Sequence, residues 1–167
     1  MEFSKLIRAR YSVRAYKSDP IESDKLDRVL EAARLAPTAA NRQPFRILVI
    51  PAAGREAELN RIYPRPWFVQ APLIIAACGV ESESWVRRDG KVYVDVDVTI
   101  AMDHLILAAA DEGLGTCWIA AFDPVAARDV LKLEPGLEPL LFTPLGYPAD
   151  APRPKQRRPI VELVRTI

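Results

Sequence analysis

Residues 73–78, Leu73-Ile74-Ile75-Ala76-Ala77-Cys78, form an apolar run without alternation. A strand with one wet face alternates polar and apolar side chains, whereas an unbroken run belongs to a strand covered on both faces. A fold that contains it needs layers above and below a sheet. Residues 94–112 supply one candidate layer, because Val98, Ala101, Met102, Leu105, Ile106 and Ala109 recur at helical spacing in one wide apolar stripe. Such a helix serves either as a central core helix or as the seam of a dimer, and the stripe is compatible with both.

The other elements follow from punctuation and periodicity. Residues 2–9 read as a short helix. Ser23 is a candidate N-cap for a second helix, whose Leu26, Val29, Leu30, Ala33 and Ala36 share a face. Pro37 cannot continue that helix and pushes Ala36 toward an extended conformation. Residues 46–50 read as a strand, 56–62 as a helix and 116–119 as a short strand. Asp123 and Pro124 read as N-cap and first residue of a helix ending near Leu131. Residues 140–145 read as a further strand, in which Pro144 predicts an edge or a bulge. No repeat or linker divides the chain, so residues 1–167 are expected to form one α+β domain with helices on both sides of a central sheet.

Composition removes several classes of function. The formal net charge is +1, which offers no electrostatic footprint for nucleic acid. No apolar run approaches the ~20 residues of a membrane helix. Met1-Glu2-Phe3-Ser4-Lys5 lacks the apolar core of a secretory signal, so a cytoplasmic location is expected. Cys78 and Cys117 make neither a disulfide framework nor a metal-ligand spacing. His104 is the only histidine and lies in a helical pattern, which argues against a zinc site and against a Ser-His-Asp triad.

Two segments carry chemistry. In Arg10-Tyr11-Ser12-Val13-Arg14, an extended backbone points Arg10, Ser12 and Arg14 the same way, three aligned donors suited to an elongated anion with a phosphate at one end. In Ala36-Pro37-Thr38-Ala39-Ala40-Asn41-Arg42-Gln43-Pro44, small residues and the Asn41 amide allow close approach to a flat ligand. Taken alone, the first reads as a solvated basic stretch, as charge runs usually do, and the second as a helix end followed by a turn. Gly113 and Gly115 begin a dinucleotide fingerprint, but its third position is Trp118, and no Walker lysine motif exists. A phosphate is therefore held mainly by side chains, a task that suits arginine's rigid fork.

These segments resemble the nitroreductase family of FMN-dependent oxidoreductases. The resemblance recurs in Gly113-Leu114-Gly115-Thr116-Cys117-Trp118-Ile119, in Leu145-Gly146-Tyr147-Pro148 and in the basic tail Lys155-Gln156-Arg157-Arg158-Pro159, and so covers nearly the whole chain. It implies a mostly antiparallel central sheet flanked by helices, in an intertwined homodimer with two FMN sites at its interface. A C-terminal strand at 160–164 would then join the partner's sheet. By resemblance, Arg10 and Ser12 face the phosphate and ribityl end of FMN, Tyr11 between them belongs to the same cofactor-binding stretch, and Arg14 approaches the pyrimidine side of the ring. Pro37, Thr38, Ala39 and Asn41 would contact the flavin held mainly by the other subunit, with Gln43 supporting the loop. Trp118, Ile119, Ala120 and Ala121 would pass near N5, and Lys155 and Arg157 would close over the phosphate, leaving Arg153 and Arg158 as surface residues. The implied reaction is ping-pong hydride transfer from NAD(P)H to a nitroaromatic, quinone or similar electron-poor acceptor, with no protein acid or base. Flavin fragmentation, reductive dehalogenation and flavin binding without turnover remain open on the same scaffold. Residues 81–91 are a candidate partial cover.

Overall fold

In the computed structural model, which describes residues 1–167, strands β1 (Phe45–Pro51), β2 (Leu73–Val80), β3 (Gly115–Thr116) and β4 (Leu137–Gly146) form one antiparallel sheet. The strand order is β1-β2-β4-β3, so the apolar run lies in an interior strand. Alternate residues of β2 serve opposite layers. Ile75 and Ala77, with Leu141 and Leu145 of β4, pack against helices α2 (Ser23–Arg34) and α4 (Val94–Asp111). Ile74, Ala76 and Cys78, with Phe142, pack against α3 (Glu56–Ile62) and α5 (Pro124–Leu131). All six residues of the α4 stripe are buried, and each large aliphatic side chain so covered contributes about 1.5–3 kcal/mol. The expectation of α+β architecture with two helical layers is met.

Three details differ from the sequence reading, each for a backbone reason. Strand β4 is interior, and its bulge lies opposite Ala77 and Cys78 rather than at Pro144. Pro144 is tolerated because its missing donor is on the β3 side, where Phe142 N–H reaches Ile119 O. On that side the strand expected at 116–119 shrinks to β3 and a single bridge between Ile119 and Phe142. In the gap, the Cys117 N–H donates to Thr143 Oγ1 at 2.9 Å instead of to a neighbouring strand.

At the second helix, Ser23 is the first helical residue and Glu22 the N-cap, with no side-chain capping bond. Asp123 does cap α5, its Oδ1 accepting from Val125 N and Ala126 N at 2.9 Å each. Residues 160–164 are not a strand. Ile160–Leu163 form a one-turn helix, α6, because a segment without a neighbouring strand satisfies its backbone only locally. The first helix, α1 (Phe3–Ala9), leads directly into the arginine segment.

Candidate functional site

The glycine pair positions the arginines. Gly113 follows the end of α4 with φ +76°, and Leu114 N–H returns to Ala109 O at 2.8 Å, which closes the helix and turns the chain. Gly115 then lies so close to Val13 that an added Cβ would meet Val13 Cγ2 at 2.7 Å. This contact lets residues 10–14 run beside β3: Ser12 bridges to Thr116 in parallel, and Val13 N–H donates to Thr116 O at 2.9 Å. Val13 is buried, while Ser12 and Arg14 turn to the opposite side, the alternation expected of an extended segment.

On that side lies a cleft of about 320 Å³ lined by Arg10, Tyr11, Ser12 and Arg14 and, from the tail, by Asp150, Arg153, Lys155 and Arg157. The structure thus brings together six of the residues expected to hold the cofactor, Arg10, Tyr11, Ser12, Arg14, Lys155 and Arg157, and it adds Asp150 and Arg153, the latter expected to be a surface residue. None of its five cations makes an ion pair, although twelve ion pairs form elsewhere. Asp150 is spent on the backbone and on Tyr11: its Oδ2 accepts the Arg14 N–H at 2.9 Å, and Tyr11 Oη donates to its carbonyl at 2.8 Å. Lys155 Nζ meets the end of α1, donating to Ile7 O at 3.0 Å and Arg8 O at 2.5 Å. Desolvation, and then the like charges of Arg10 and Arg157, push the Lys155 ammonium below its ordinary value. Five cations crowded around a single carboxylate leave the cleft net positive, a receptor for a multiply charged anion.

The Arg14 guanidinium is placed by an aromatic face, with its carbon 5.9 Å from the Trp67 ring centroid. Asp150 and Trp67 carried no signal in the sequence, since Asp150 reaches the cleft, and Trp67 reaches Arg14, only through the pairing of distant segments. Tyr16 bridges to Pro148, and Ala149 N–H donates to Ala15 O at 2.8 Å, which draws residue 150 alongside residue 14.

The other two expected groups do not line the cleft. Ile119 is buried in the core, and both its N–H and its C=O are bonded to Phe142 at 2.9 Å. Trp118 packs against the α2–α4 layer, and Ala120 and Ala121 are exposed. Residues 37–41 lie at the opposite end of α4. Ala39 N–H donates to Asp97 in the first turn of that helix, whereas Arg10 and Tyr11 share a cavity wall with Ala110. Thirteen helical residues separate those ends, roughly 20 Å. Within the turn, the Thr38 hydroxyl accepts from Gln43 N–H at 3.0 Å, so it is occupied in shaping the loop. Gln43 Nε2 donates to Asn41 O at 3.1 Å, a supporting role for Gln43.

Residues 84–93 form a small hairpin, with Val86 bridged to Val92 and Trp85 packed edge-on against Tyr93 at 5.0 Å. No helix is long and apolar enough to cross a membrane.

Comparison with known proteins agrees with this geometry. The sequence model described as "Nitroreductase family" matches residues 7–73 and 63–147. A crystal structure of a nitroreductase family protein from Clostridium difficile 630 superposes with a TM-score of 0.88 at 37% identity, covering 99% of this chain and 98% of that one. A Bacillus subtilis protein named FMN reductase (NAD(P)H) is 27% identical over 165 residues, 89% of this chain and 66% of its own length. A Thermus thermophilus protein named NADH dehydrogenase is 27% identical, with 93% of this chain and 91% of the relative covered.

Proposed function

The chain belongs to the nitroreductase family, and from that premise we propose that it is an FMN-dependent, homodimeric oxidoreductase that uses NAD(P)H to reduce small electron-poor acceptors such as nitroaromatics and quinones. The observation that carries this reading is the cleft in which five cations free of ion pairs, Arg10, Arg14, Arg153, Lys155 and Arg157, face a single carboxylate, Asp150. Their donor chemistry fits a phosphate-bearing ligand, and charge-assisted hydrogen bonds of ~1.5–3 kcal/mol each hold such a ligand without a covalent link. The name of the Bacillus subtilis relative supports FMN in particular.

FMN, when bound, supplies hydride transfer at N5 and needs no protein acid or base. The chain binds and tunes it. Among the residues lining the cleft, Arg10, Lys155 and Arg157 would hold the phosphate, Ser12 would face the ribityl chain with Tyr11 bracing Asp150 beside it, and Arg14 would place a fixed positive charge beside the pyrimidine edge, where reduction builds negative charge.

Two observations support the dimer. Residues 37–41 and the cationic cleft sit at opposite ends of α4, so a flavin touched by both takes them from different copies. Exposed apolar side chains, among them Phe3 and Leu35 at 64% each and Val161 at 78%, give a second copy surface to cover.

The absorption spectrum of the purified protein tests the assignment. A yellow protein that releases FMN rather than FAD on denaturation, and that oxidises NAD(P)H when a quinone is added, is expected. A colourless protein that cannot be reconstituted with FMN overturns it.

A further inference from the structure

Asp97 contains the only buried side-chain polar atom left without a partner: Oδ2 meets nothing, while Oδ1 accepts the Ala39 N–H at 2.8 Å. The residue is 1% exposed. Burying a half-satisfied carboxylate is costly even at the N-terminal end of a helix, where the dipole favours its charge. The segment it holds is itself strained. Ala40, Asn41 and Gln43 have φ of 50°, 53° and 53°, in the left-handed region that side chains with a Cβ avoid. Such conformations persist only where surrounding contacts over-determine them.

The hydrogen bonds that shape this turn are nearly all internal. Gln43 N–H donates to Thr38 Oγ1, Gln43 Nε2 to Asn41 O, and Asn41 N–H to Thr38 O. Apart from Gln43 O, which accepts from Phe45 N–H at the start of the adjoining β1, the bond from residues 38–43 that reaches another element is Ala39 N–H to Asp97, 58 positions away. The turn therefore keeps its shape largely by itself and is tied to the distant helix α4 by one buried carboxylate.

We propose that Asp97 is a positioning residue for the flavin: it pins the turn of residues 38–43 to the head of α4 so that this turn meets the flavin seated in the cationic cleft of a second copy. This inference rests on the flavin-dependent dimer proposed above. Asp97 acts through Ala39 and does not itself touch the cofactor. The acceptor oxygen, rather than the charge, is what the tether needs.

Flavin-fluorescence titration of dimeric Asp97→Ala, Asp97→Asn and Ala39→Pro with FMN tests it. Asp97→Ala raises the FMN Kd by roughly tenfold, the loss expected when the hydrogen bond that tethers the turn is removed. Asp97→Asn, whose amide oxygen still accepts, stays close to wild type. Ala39→Pro removes the donor without touching the core and loses affinity like Asp97→Ala. Proline is tolerated there because Ala39 opens a 3₁₀ turn and Thr38 is extended, at φ −132° and ψ 157°. It also keeps the test alive if Asp97→Ala does not fold.

A mixed dimer of differently tagged Arg10→Met and Asp97→Ala chains gives the readout that a merely structural residue would not move. One of its two sites joins an intact cleft to an intact turn, so the mixed dimer binds one FMN with wild-type affinity where both parent homodimers bind weakly. Wild-type affinity in Asp97→Ala or Ala39→Pro, or a mixed dimer as weak as its parents, overturns the role of Asp97 alone. Wild-type protein that takes up no FMN overturns the flavin reading together with it.

Discussion

The Arg14 guanidinium carbon stands 5.9 Å from the centroid of the Trp67 ring, within cation–π reach. No carboxylate pairs with that guanidinium, whose only hydrogen bond is a long one, 3.4 Å, to Ser12 O. The aromatic face fixes where the charge sits without neutralising it, as a group that tunes a redox cofactor requires.

Replacing Arg14 by Met is therefore expected to lower the two-electron potential of bound FMN. A loss of ~1.4 kcal/mol in stabilising the reduced ring corresponds to ~30 mV. Arg10→Met, at the phosphate end, is expected to weaken FMN binding and leave the potential of bound flavin nearly unchanged. Potentiometric titration of both variants, saturated with FMN, measures the contrast. Equal potentials in wild type and Arg14→Met would mean that Arg14 is not at the ring.

If only the dimer has a complete site, ligand stabilises the assembled state. Dilution into the monomer range is expected to release FMN, and excess FMN to shift the monomer–dimer equilibrium toward dimer. Sedimentation at graded concentrations, read at flavin and protein wavelengths, follows both species. A monomer that retains FMN tightly contradicts the shared site.

Gly115→Ala tests how the arginine segment is seated. Its new Cβ would press on Val13 at 2.7–3.0 Å, between Ser12 and Arg14. Overpacking of this kind costs about 1–3 kcal/mol, and for a domain of this size each kcal/mol lowers Tm by roughly 2–4 °C. Thermal melting should show that loss, and FMN titration a weaker Kd. An unchanged melting curve would remove the close approach from the account of this motif.

Cys78 sets a pH dependence on the alkaline side. Burial, followed by the charge of Glu138, pushes its thiol from 9.0 up to about 12. Above pH 9 the unfolded chain loses this proton while the folded chain keeps it, so stability falls as pH rises through that window. Between pH 9 and 10.5 the contribution lost is on the order of 1–2 kcal/mol. Denaturant titrations of wild type and Cys78→Ala should converge in stability by that amount over the same interval. Parallel pH profiles would contradict it.

The sequence by itself determined what repeats locally. The run at 73–78, the α4 stripe, the Asp123 cap and the alternation of Arg10, Ser12 and Arg14 are all periodicities or adjacent-residue chemistry, and the structure places each accordingly. Only the tertiary structure decided the rest. Pro144 pointed to an edge because one residue cannot reveal which of its sides a neighbouring strand will occupy. Asp150 and Arg153 reach the cleft, and Trp67 reaches Arg14, through the pairing of distant segments, and Asp97 meets Ala39 across 58 positions. The two motifs that read as one site are held apart by the length of α4, because helix rise per residue, not distance along the chain, sets how far apart their anchors lie.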